Sequence, residues 1–186
     1  ELEGKIDREK LLDISGRGRE RQIALAAEFG IVDYPSPAGG CKLTEEGFCR
    51  KLKDLKDHEG LGDRKLVELL LVGRRFRLPG GTSVILGRDR VENVRLKAEA
   101  GGDGTRRTVS VAPVNVPGPT ALLPDLKGEE DLKLVTELVA AYSKYDRLVG
   151  DIVVSVAGGE GPEPKDERRE VPRPYDRTKF KPWQIC

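Results

Sequence analysis

Cys41 is the residue whose surroundings best suit covalent chemistry. It follows the turn-forming run Pro35-Ser36-Pro37-Ala38-Gly39-Gly40 and stands directly before a predicted helix start. Prolines fix φ and glycines permit tight turns, so the thiol is expected on a shaped loop. The exposed N–H groups of a helix N-terminus favour the thiolate, which makes Cys41 a candidate catalytic nucleophile. The competing interpretation is a structural cysteine, because free cysteines often pack as small apolar side chains.

A second set of residues suits binding to an anionic polymer. Guanidinium groups match phosphate oxygens, so arginines on a hairpin could follow an RNA backbone. The alternative is an ordinary charged sheet face. Aromatic residues for base stacking are sparse, and Phe76 alternates within its strand as a core residue would. The arginines concerned, which lie in and after a predicted hairpin, are Arg74, Arg75, Arg77, Arg88, Arg90 and Arg95.

The spacing of the candidate ligands and the incomplete glycine motif argue against a metal site and a nucleotide site. Cys41, Cys49 and His58 are separated by gaps of seven and eight residues and lack a fourth ligand, whereas structural zinc ligands come in close pairs. We therefore expect no metal. The run 16–18, Gly-Arg-Gly, is a fragment of a phosphate-binding loop with no Lys-Ser or Lys-Thr pair behind it. We expect no cofactor in this stretch of chain, and any ATP site would lie upstream of it.

The composition limits the kinds of protein to which this chain can belong. Charged residues make up 35% of the 186 residues with a net charge of +1, but residues 61–112 carry 11 basic and 6 acidic side chains. This middle part is the candidate anion-binding region. Three cysteines without an apolar leader favour a reducing, cytoplasmic setting, and the longest apolar run, residues 69–72, is far too short for a membrane span. Because the chain contains no methionine, we expect it to be a piece of a longer protein.

Hydrophobic periodicity predicts a helical beginning followed by mixed helices and strands. Thr44 and Asp63 are expected as helix N-caps, and Val91 and Val94 as inward-facing residues of a short helix. Residues beyond 158 are rich in glycine, proline and charge, which is typical of an exposed arm. The predicted elements are helices over 17–29, 44–57, 63–71, 89–96 and 129–144, and strands over 74–78, 82–86, 107–112 and 148–156.

Two runs near the N-terminus carry a family resemblance. They are Arg21-Gln22-Ile23-Ala24-Leu25-Ala26-Ala27-Glu28-Phe29-Gly30-Ile31 and Ser36-Pro37-Ala38-Gly39-Gly40-Cys41. Together they resemble the end of the adenylating PP-loop domain of tRNA sulfur-transfer enzymes, the 2-thiouridylase and 4-thiouridine synthase group. The resemblance implies an upstream ATP-binding part and gives Cys41 the position of the second catalytic cysteine. In those enzymes one cysteine carries a persulfide and the other releases the sulfur by forming a disulfide.

A second resemblance spans residues 82–155. Its motifs are Val84-Ile85-Leu86-Gly87-Arg88, Glu92-Asn93, Pro117-Gly118 and Leu138-Val139-Ala140-Ala141-Tyr142-Ser143-Lys144. They resemble the NFACT-R domain of ribosome quality-control factors, a variant of which is fused behind PP-loop thiolation-like proteins. The resemblance implies contact with RNA, with Gly87, Arg88 and Asn93 shaping or lining the binding surface. It implies a packing role for Tyr142 and Ser143.

These features predict an α+β chain in three parts. Residues 1–62 are expected to end a PP-loop domain, residues 63–158 to form a mixed α/β NFACT-R-like RNA-binding domain, and residues 159–186 to extend as an arm. The leading hypothesis is part of a tRNA-modifying protein that thiolates uridine. Its expected partners are tRNA or another structured RNA and a sulfur donor protein, without a membrane. This part alone is not expected to turn over substrate.

Two other functions remain open from the sequence. In the first, the protein is a non-enzymatic RNA or ribosome adaptor, Cys41 is structural, and the basic hairpin is the whole function. In the second, the chain is a docking module of its parent protein and binds no ligand of its own. The residues predicted to bind RNA are Arg74, Arg75, Arg77, Arg88, Arg90, Asn93 and Arg95.

Overall fold

The computed structural model describes residues 7, 12–14, 18–34, 41–99, 108–145, 150–158, 165–173 and 175–185. The turn predicted over 35–40 and the stretch 159–164 of the predicted arm lie outside the described residues. The chain divides into two compact units, Glu1–Gly40 and Cys41–Cys186. In the first unit, helix α1 spans Glu20–Glu28, within the predicted helix, and Arg21 pairs with Asp13 at 2.8 Å.

The second unit is built on a seven-stranded antiparallel sheet, so the α+β class is confirmed. Its strands are β1 (Arg74–Arg77), β2 (Ser83–Leu86), β3 (Val109–Pro113), β4 (Ala121–Leu123), β5 (Ile152–Gly158), β6 (Lys165–Val171) and β7 (Gln184–Ile185). They are ordered β6-β5-β3-β4-β2-β1-β7 across the sheet. The α-helices described in this unit are α2 (Glu46–His58), α3 (Arg64–Leu69), α4 (Arg90–Ala98) and α5 (Glu129–Tyr142).

The sheet is buried on both faces near its centre. Side chains alternate along β2, so Val84 packs in the cluster that includes α5, while Ile85 packs in the cluster that includes α2, α3 and α4. All four residues of β2 are buried. A strand that is covered on both faces needs apolar side chains at successive positions, and this explains why β2 shows little alternation of apolar and polar residues.

Two carboxylates fix the start of α3 and the turn of the hairpin. Asp63 caps α3 as predicted, because its carboxylate accepts the backbone N–H groups of Lys65 and Leu66. The carboxylate of Asp131, at the start of α5, accepts the N–H groups of Gly80 and Thr82, each at 3.1 Å. These two bonds tie the turn between β1 and β2 to α5. The predicted hairpin is confirmed, with β1 and β2 paired antiparallel.

An ion network joins α2 to β1. The guanidinium of Arg75, only 2% exposed, donates from Nε to Asp54 at 3.0 Å. Arg77 donates from Nη2 to Asp54 at 2.7 Å and from Nη1 to Glu59 at 2.6 Å. Two cations and two carboxylates therefore neutralise each other beneath α2, on the face of the sheet opposite α5.

Burial and hydrogen bonding compete in this network. Burial lowers the pKa of Arg75, and the bond to Asp54 offsets only part of this effect. Burial raises the pKa of Asp54, but hydrogen bonds from Arg77 and Arg75 outweigh it and hold this pKa below its usual value. Burial also lowers the pKa of Arg77, but its bonds to Glu59 and Asp54 prevail and raise it. Removal of one member would leave an uncompensated charge in a poorly hydrated place.

The C-terminal segment differs from the predicted arm. Residues 165–171 form edge strand β6, paired with β5 along its whole length, and β7 pairs with β1 at the opposite edge. Phe180 is 1% exposed and belongs to the main core. The periodicity missed β6 because Val171 is its one buried residue among those with described side chains, so no apolar alternation marks the strand.

Two further expectations are corrected. Val91 and Val94 of α4 are 78% and 63% exposed, and Leu96 is the buried residue of that helix. Glu45, and not Thr44, occupies the N-cap position of α2, while Thr44 closes a short 3₁₀ turn.

Residue 62, the predicted domain boundary, lies between α2 and α3 in the second unit. None of the described helices is long and apolar enough to cross a membrane.

We expect Arg75→Gln to lower the free energy of unfolding by about 3 kcal/mol, because it leaves Asp54 and Glu59 with one cation in place of two. Urea unfolding followed by circular dichroism measures the change. Arg64→Gln is the matched control: that guanidinium is 91% exposed in its pair with Glu68, so its loss should cost less than about 0.5 kcal/mol. Equal effects of the two substitutions would contradict a structural role for the buried network.

Candidate nucleic-acid interface

A cleft of about 760 Å³ opens where the end of β2, the start of α4, the loop before β4 and the end of α5 come together. Asp89 is the acidic residue among those that line it. The basic residues that line it are Arg74, Arg88, Arg90, Lys97, Lys144 and Arg177. Such an excess of cations around one concavity creates a local positive potential, although the net charge of the whole chain is only +1.

Asn93 connects the two walls of this basic cleft. Its Oδ1 accepts the backbone N–H of Thr120 at 2.9 Å, and its Nδ2 donates to the carbonyl of Gly118 at 3.5 Å. A Cβ on Gly87 would lie 2.2 Å from Asn93 Oδ1, so glycine is required by this close approach. The amide therefore positions α4 against the loop of residues 117–120, while Gly87 also donates its N–H to Thr120 at 3.0 Å.

The first turn of α4 is fixed by local charges. The side chain of Asp89 caps the helix by accepting the N–H of Glu92 at 2.9 Å. Arg88 donates its backbone N–H and its guanidinium to the carboxylate of Glu92. The hydrogen bond from the Arg88 guanidinium, helped by the N–H groups of Arg88 and Gly73 and opposed by burial, lowers the pKa of Glu92 to about 2. Glu92 is therefore ionised at neutral pH and offsets part of the charge of Arg88.

The end of α5 forms the opposite wall. Lys144 donates its backbone N–H to the carbonyl of Pro117 at 2.8 Å, which ties the loop to the helix end. A Cβ on Gly118 would lie 2.2 Å from the hydroxyl oxygen of Ser143, so this contact also requires glycine. The Ser143 hydroxyl itself donates to the carbonyl of Val139. Ser143 is buried, as a packing residue should be.

Tyr142 carries two guanidinium groups beside its ring. The Cζ atoms of Arg74 and Arg177 lie 5.7 and 5.0 Å from the ring centroid, within the range of cation–π contacts. The Nε of Arg177 also donates to the carbonyl of Ala141 at 2.6 Å. Tyr142 is half-buried and lines the cleft, so it holds cations at the surface in addition to its packing against Phe76.

Five of the six cations of the cleft form no ion pair with another described residue, and three of these five make no cation–π contact either. Arg90, Lys97 and Lys144 are exposed and line the cleft. In contrast, Arg88 is paired with Glu92 at 2.5 Å. Unpaired surface cations bind phosphate without first breaking another interaction, so these three should contribute most to the binding of a polyanion.

The structure divides the predicted RNA-binding residues into groups. Arg74, Arg88, Arg90 and Asn93 meet in the cleft. Arg95 is exposed on α4 but is not among the residues that line it. Arg75 and Arg77 lie in the ion network beneath α2, where carboxylates already occupy their guanidinium groups. The cause is strand alternation: Arg74 points to the α5 side of β1, and Arg75 and Arg77 are held by residues of α2 and the loop that follows it.

Sequence reasoning missed three cations of the cleft. Lys97 follows Arg90 by seven residues and Asn93 by four, a helical spacing that identifies one face of α4 and could have revealed it. Lys144 and Arg177 reach the cleft through the packing of α5 and of the C-terminal segment. These long-range contacts leave no local pattern in the sequence.

The described cysteines lie outside this cleft. Cys41 is an exposed free thiol whose backbone carbonyl accepts the N–H and the hydroxyl of Thr44. The thiol of Cys49 donates to the carbonyl of Leu43 at 3.0 Å. No group of three potential metal ligands occurs among the described residues.

The fold and the cleft define an α+β domain with a surface suited to a polyanion. The chain belongs to the family described as the NFACT protein RNA binding domain, whose model (NFACT-R_2) matches residues 73–170, more than half of the chain. The resemblance drawn from the motifs over 82–155 is thereby confirmed at the level of the RNA-binding domain. The match begins after residue 62 and gives no support to a PP-loop domain before it.

The structure is also similar to that of the C-terminal part of the fibronectin/fibrinogen-binding protein from Streptococcus suis (FBPS). The two share 16% sequence identity with a TM-score of 0.47, and the similarity covers 77% of this chain. The similarity covers 64% of the FBPS chain, so the present chain spans less than two thirds of the length of that structure. No curated protein matches the sequence.

The Glu92 carboxylate makes the rim of the cleft sensitive to acid. Its folded-state pKa of about 2 lies below the ordinary value, so its pairing with Arg88 stabilises the fold above about pH 4.5 and is lost as pH falls toward 2. We expect Glu92→Gln to lower the free energy of unfolding by about 1 kcal/mol near neutral pH. The difference from the unmodified chain should shrink in urea unfolding series recorded at successively lower pH.

Glu130→Gln provides the matched control for this series, because Glu130 is an exposed carboxylate in the first turn of α5. Its effect should be small at every pH. A Glu92→Gln difference that stays constant from about pH 6 to about pH 3 would show that the depressed carboxylate pKa is not what stabilises the start of α4.

Proposed function

We propose that this chain is a non-enzymatic RNA-binding module that holds RNA in the basic cleft. The observation that supports the proposal is the convergence of six cations on one concavity, five of them within the matched RNA-binding domain. Two of them, Arg74 and Arg177, are held beside the ring of Tyr142, and Arg90, Lys97 and Lys144 are exposed without an ion pair among the described residues. The partner is tRNA or another structured RNA.

The two kinds of cation have different tasks in this proposal. Arginine guanidinium groups at the rim can donate two parallel hydrogen bonds to one phosphate, which sets the direction of the RNA backbone. Lys97 and Lys144 act as point charges and add affinity with little geometric demand. Since binding by phosphate neutralisation releases counterions, the affinity should fall steeply with salt.

An adaptor role explains the residues of the cleft and requires no catalysis by this chain. The cleft is lined mainly by cations, with an amide, glycines, a tyrosine and apolar side chains beside them, a set that suits the positioning of phosphates, and neither described cysteine lines it. We do not propose sulfur transfer, because no observation supports the PP-loop resemblance and Cys41 stands as an exposed thiol outside the cleft.

The proposal predicts that replacing Arg90, Lys97 and Lys144 together by glutamine weakens RNA binding by about tenfold or more. The slope of log affinity against log salt should flatten by about 2, since each single-strand phosphate contact contributes about 0.7. Fluorescence anisotropy with a labelled transfer RNA across a salt series measures both quantities.

Lys53→Gln, Lys56→Gln and Arg64→Gln combined provide a matched control, because they remove the same charge from exposed positions of α2 and α3 away from the cleft. This control should keep the slope and lose at most about threefold in affinity through the change in net charge. The proposal fails if the two triple variants behave alike, or if the unmodified chain binds no RNA even at low salt.

A further inference from the structure

Apolar side chains also line the basic cleft, and we call the surface that they form its apolar floor. Val94 lines the cleft and is 63% exposed, and Pro117, Pro119 and Tyr142 line it as well. A site that contacted only phosphate oxygens would gain nothing from this apolar surface. A nucleobase laid on it would remove the surface from water, and such base contacts are a main source of affinity for unpaired nucleic acid.

The cleft is large enough to admit a nucleotide. Its volume of about 760 Å³ lies within the range of small-ligand pockets, roughly 300–1,000 Å³. An RNA duplex keeps its bases stacked inside an A-form helix, whose deep major groove admits no side chains. A duplex could therefore touch the cations at the rim with its phosphates, but it could not bring a base to Val94 or Pro119.

Guanidinium groups beside Tyr142 provide a second surface for a base. Bases of single-stranded RNA stack on aromatic rings and on arginine planes. Arg177 is held by its bond to the carbonyl of Ala141 and by the ring of Tyr142, and Arg74 lies near the same ring. Fixed arginine planes lose little freedom when a base stacks on them.

The one amide side chain of the cleft is engaged in holding the fold and is not presented to a base. Asn93 is the amide side chain among the lining residues, and both its oxygen and its nitrogen are engaged by the backbone of Thr120 and Gly118. Specific recognition of a base requires hydrogen bonds to its edges, whereas stacking and apolar contact accept every base.

We infer that the cleft binds an unpaired RNA nucleotide, with its base on the apolar floor and its flanking phosphates on the cations, and that it does so with little base preference. The inference rests on the RNA-binding function proposed above and narrows it to single-stranded segments, loops or ends of structured RNA.

The test compares a labelled single-stranded RNA of about twelve nucleotides with a duplex of the same sequence by fluorescence anisotropy, using the full chain. The single strand should bind about tenfold more tightly at equal salt, and strands of different base composition should agree within about threefold. Equal or tighter binding of the duplex would overturn the inference, as would a preference of tenfold or more for one base.

Val94→Ser and Val91→Ser form a matched pair on α4. Both valines are exposed, with Val94 in the cleft and Val91 not among its lining residues, so the two substitutions should alter helix stability similarly. Val94→Ser should weaken the single strand about fivefold and leave the duplex unchanged, whereas Val91→Ser should change neither. Equal effects of the two substitutions on the single strand would contradict an apolar floor for the base.

The outcomes separate this inference from the function on which it rests. If neither RNA binds at low salt, the proposed RNA-binding function itself fails. If both RNAs bind with equal affinity and equal salt dependence, the function stands and the unpaired-nucleotide inference is wrong.

Discussion

The cleft depends on one half-buried contact, that of the Asn93 amide with the loop before β4. The amide bonds Thr120 and Gly118, and it lies so close to Gly87 that any side chain there would collide with it. This contact sets the position of α4, and hence of Arg90 and Lys97, relative to the opposite wall. The positions of Arg90 and Lys97 therefore depend on this contact, together with the Asp89 cap and the Arg88–Glu92 pair that fix the first turn of α4. Asn93 acts on a ligand through this loop, because its own polar atoms are already occupied.

Because side chains alternate between the two faces of a strand, the neighbouring arginines of β1 serve two different functions. Arg74 lies on the α5 side of β1, beside Tyr142, and reaches the cleft. Its neighbour Arg75 points to the other side and is 2% exposed against Asp54. A shift of one residue along a strand reverses the face, so adjacent arginines in one sequence motif can serve a ligand and the fold respectively. Carboxylates of α2 and of the loop after it thus neutralise part of the positive charge of residues 61–112.

Local patterns predicted the parts of the fold that local interactions determine. The hairpin, the Asp63 cap and α5 follow from turn residues, a carboxylate at a helix start and helical periodicity. The edge strand β6 was missed because exposed charged side chains show no alternation. Arg74, Arg88, Arg90 and Asn93 were predicted from charge and motif, but Lys144 and Arg177 enter the cleft through contacts between distant parts of the chain. The burial of Arg75 and Arg77 required knowledge of α2, which the sequence alone did not place over the sheet.

The most direct test of the central claim is to map the RNA contacts by amide chemical-shift changes in the isotopically labelled chain. During titration with single-stranded RNA, the largest changes should fall in residues 88–97, Gly118, Thr120 and residues 142–144, with those of α2 and α3 near zero. Changes concentrated on α2 and α3, or spread evenly over the surface, would contradict the assignment of RNA binding to the basic cleft.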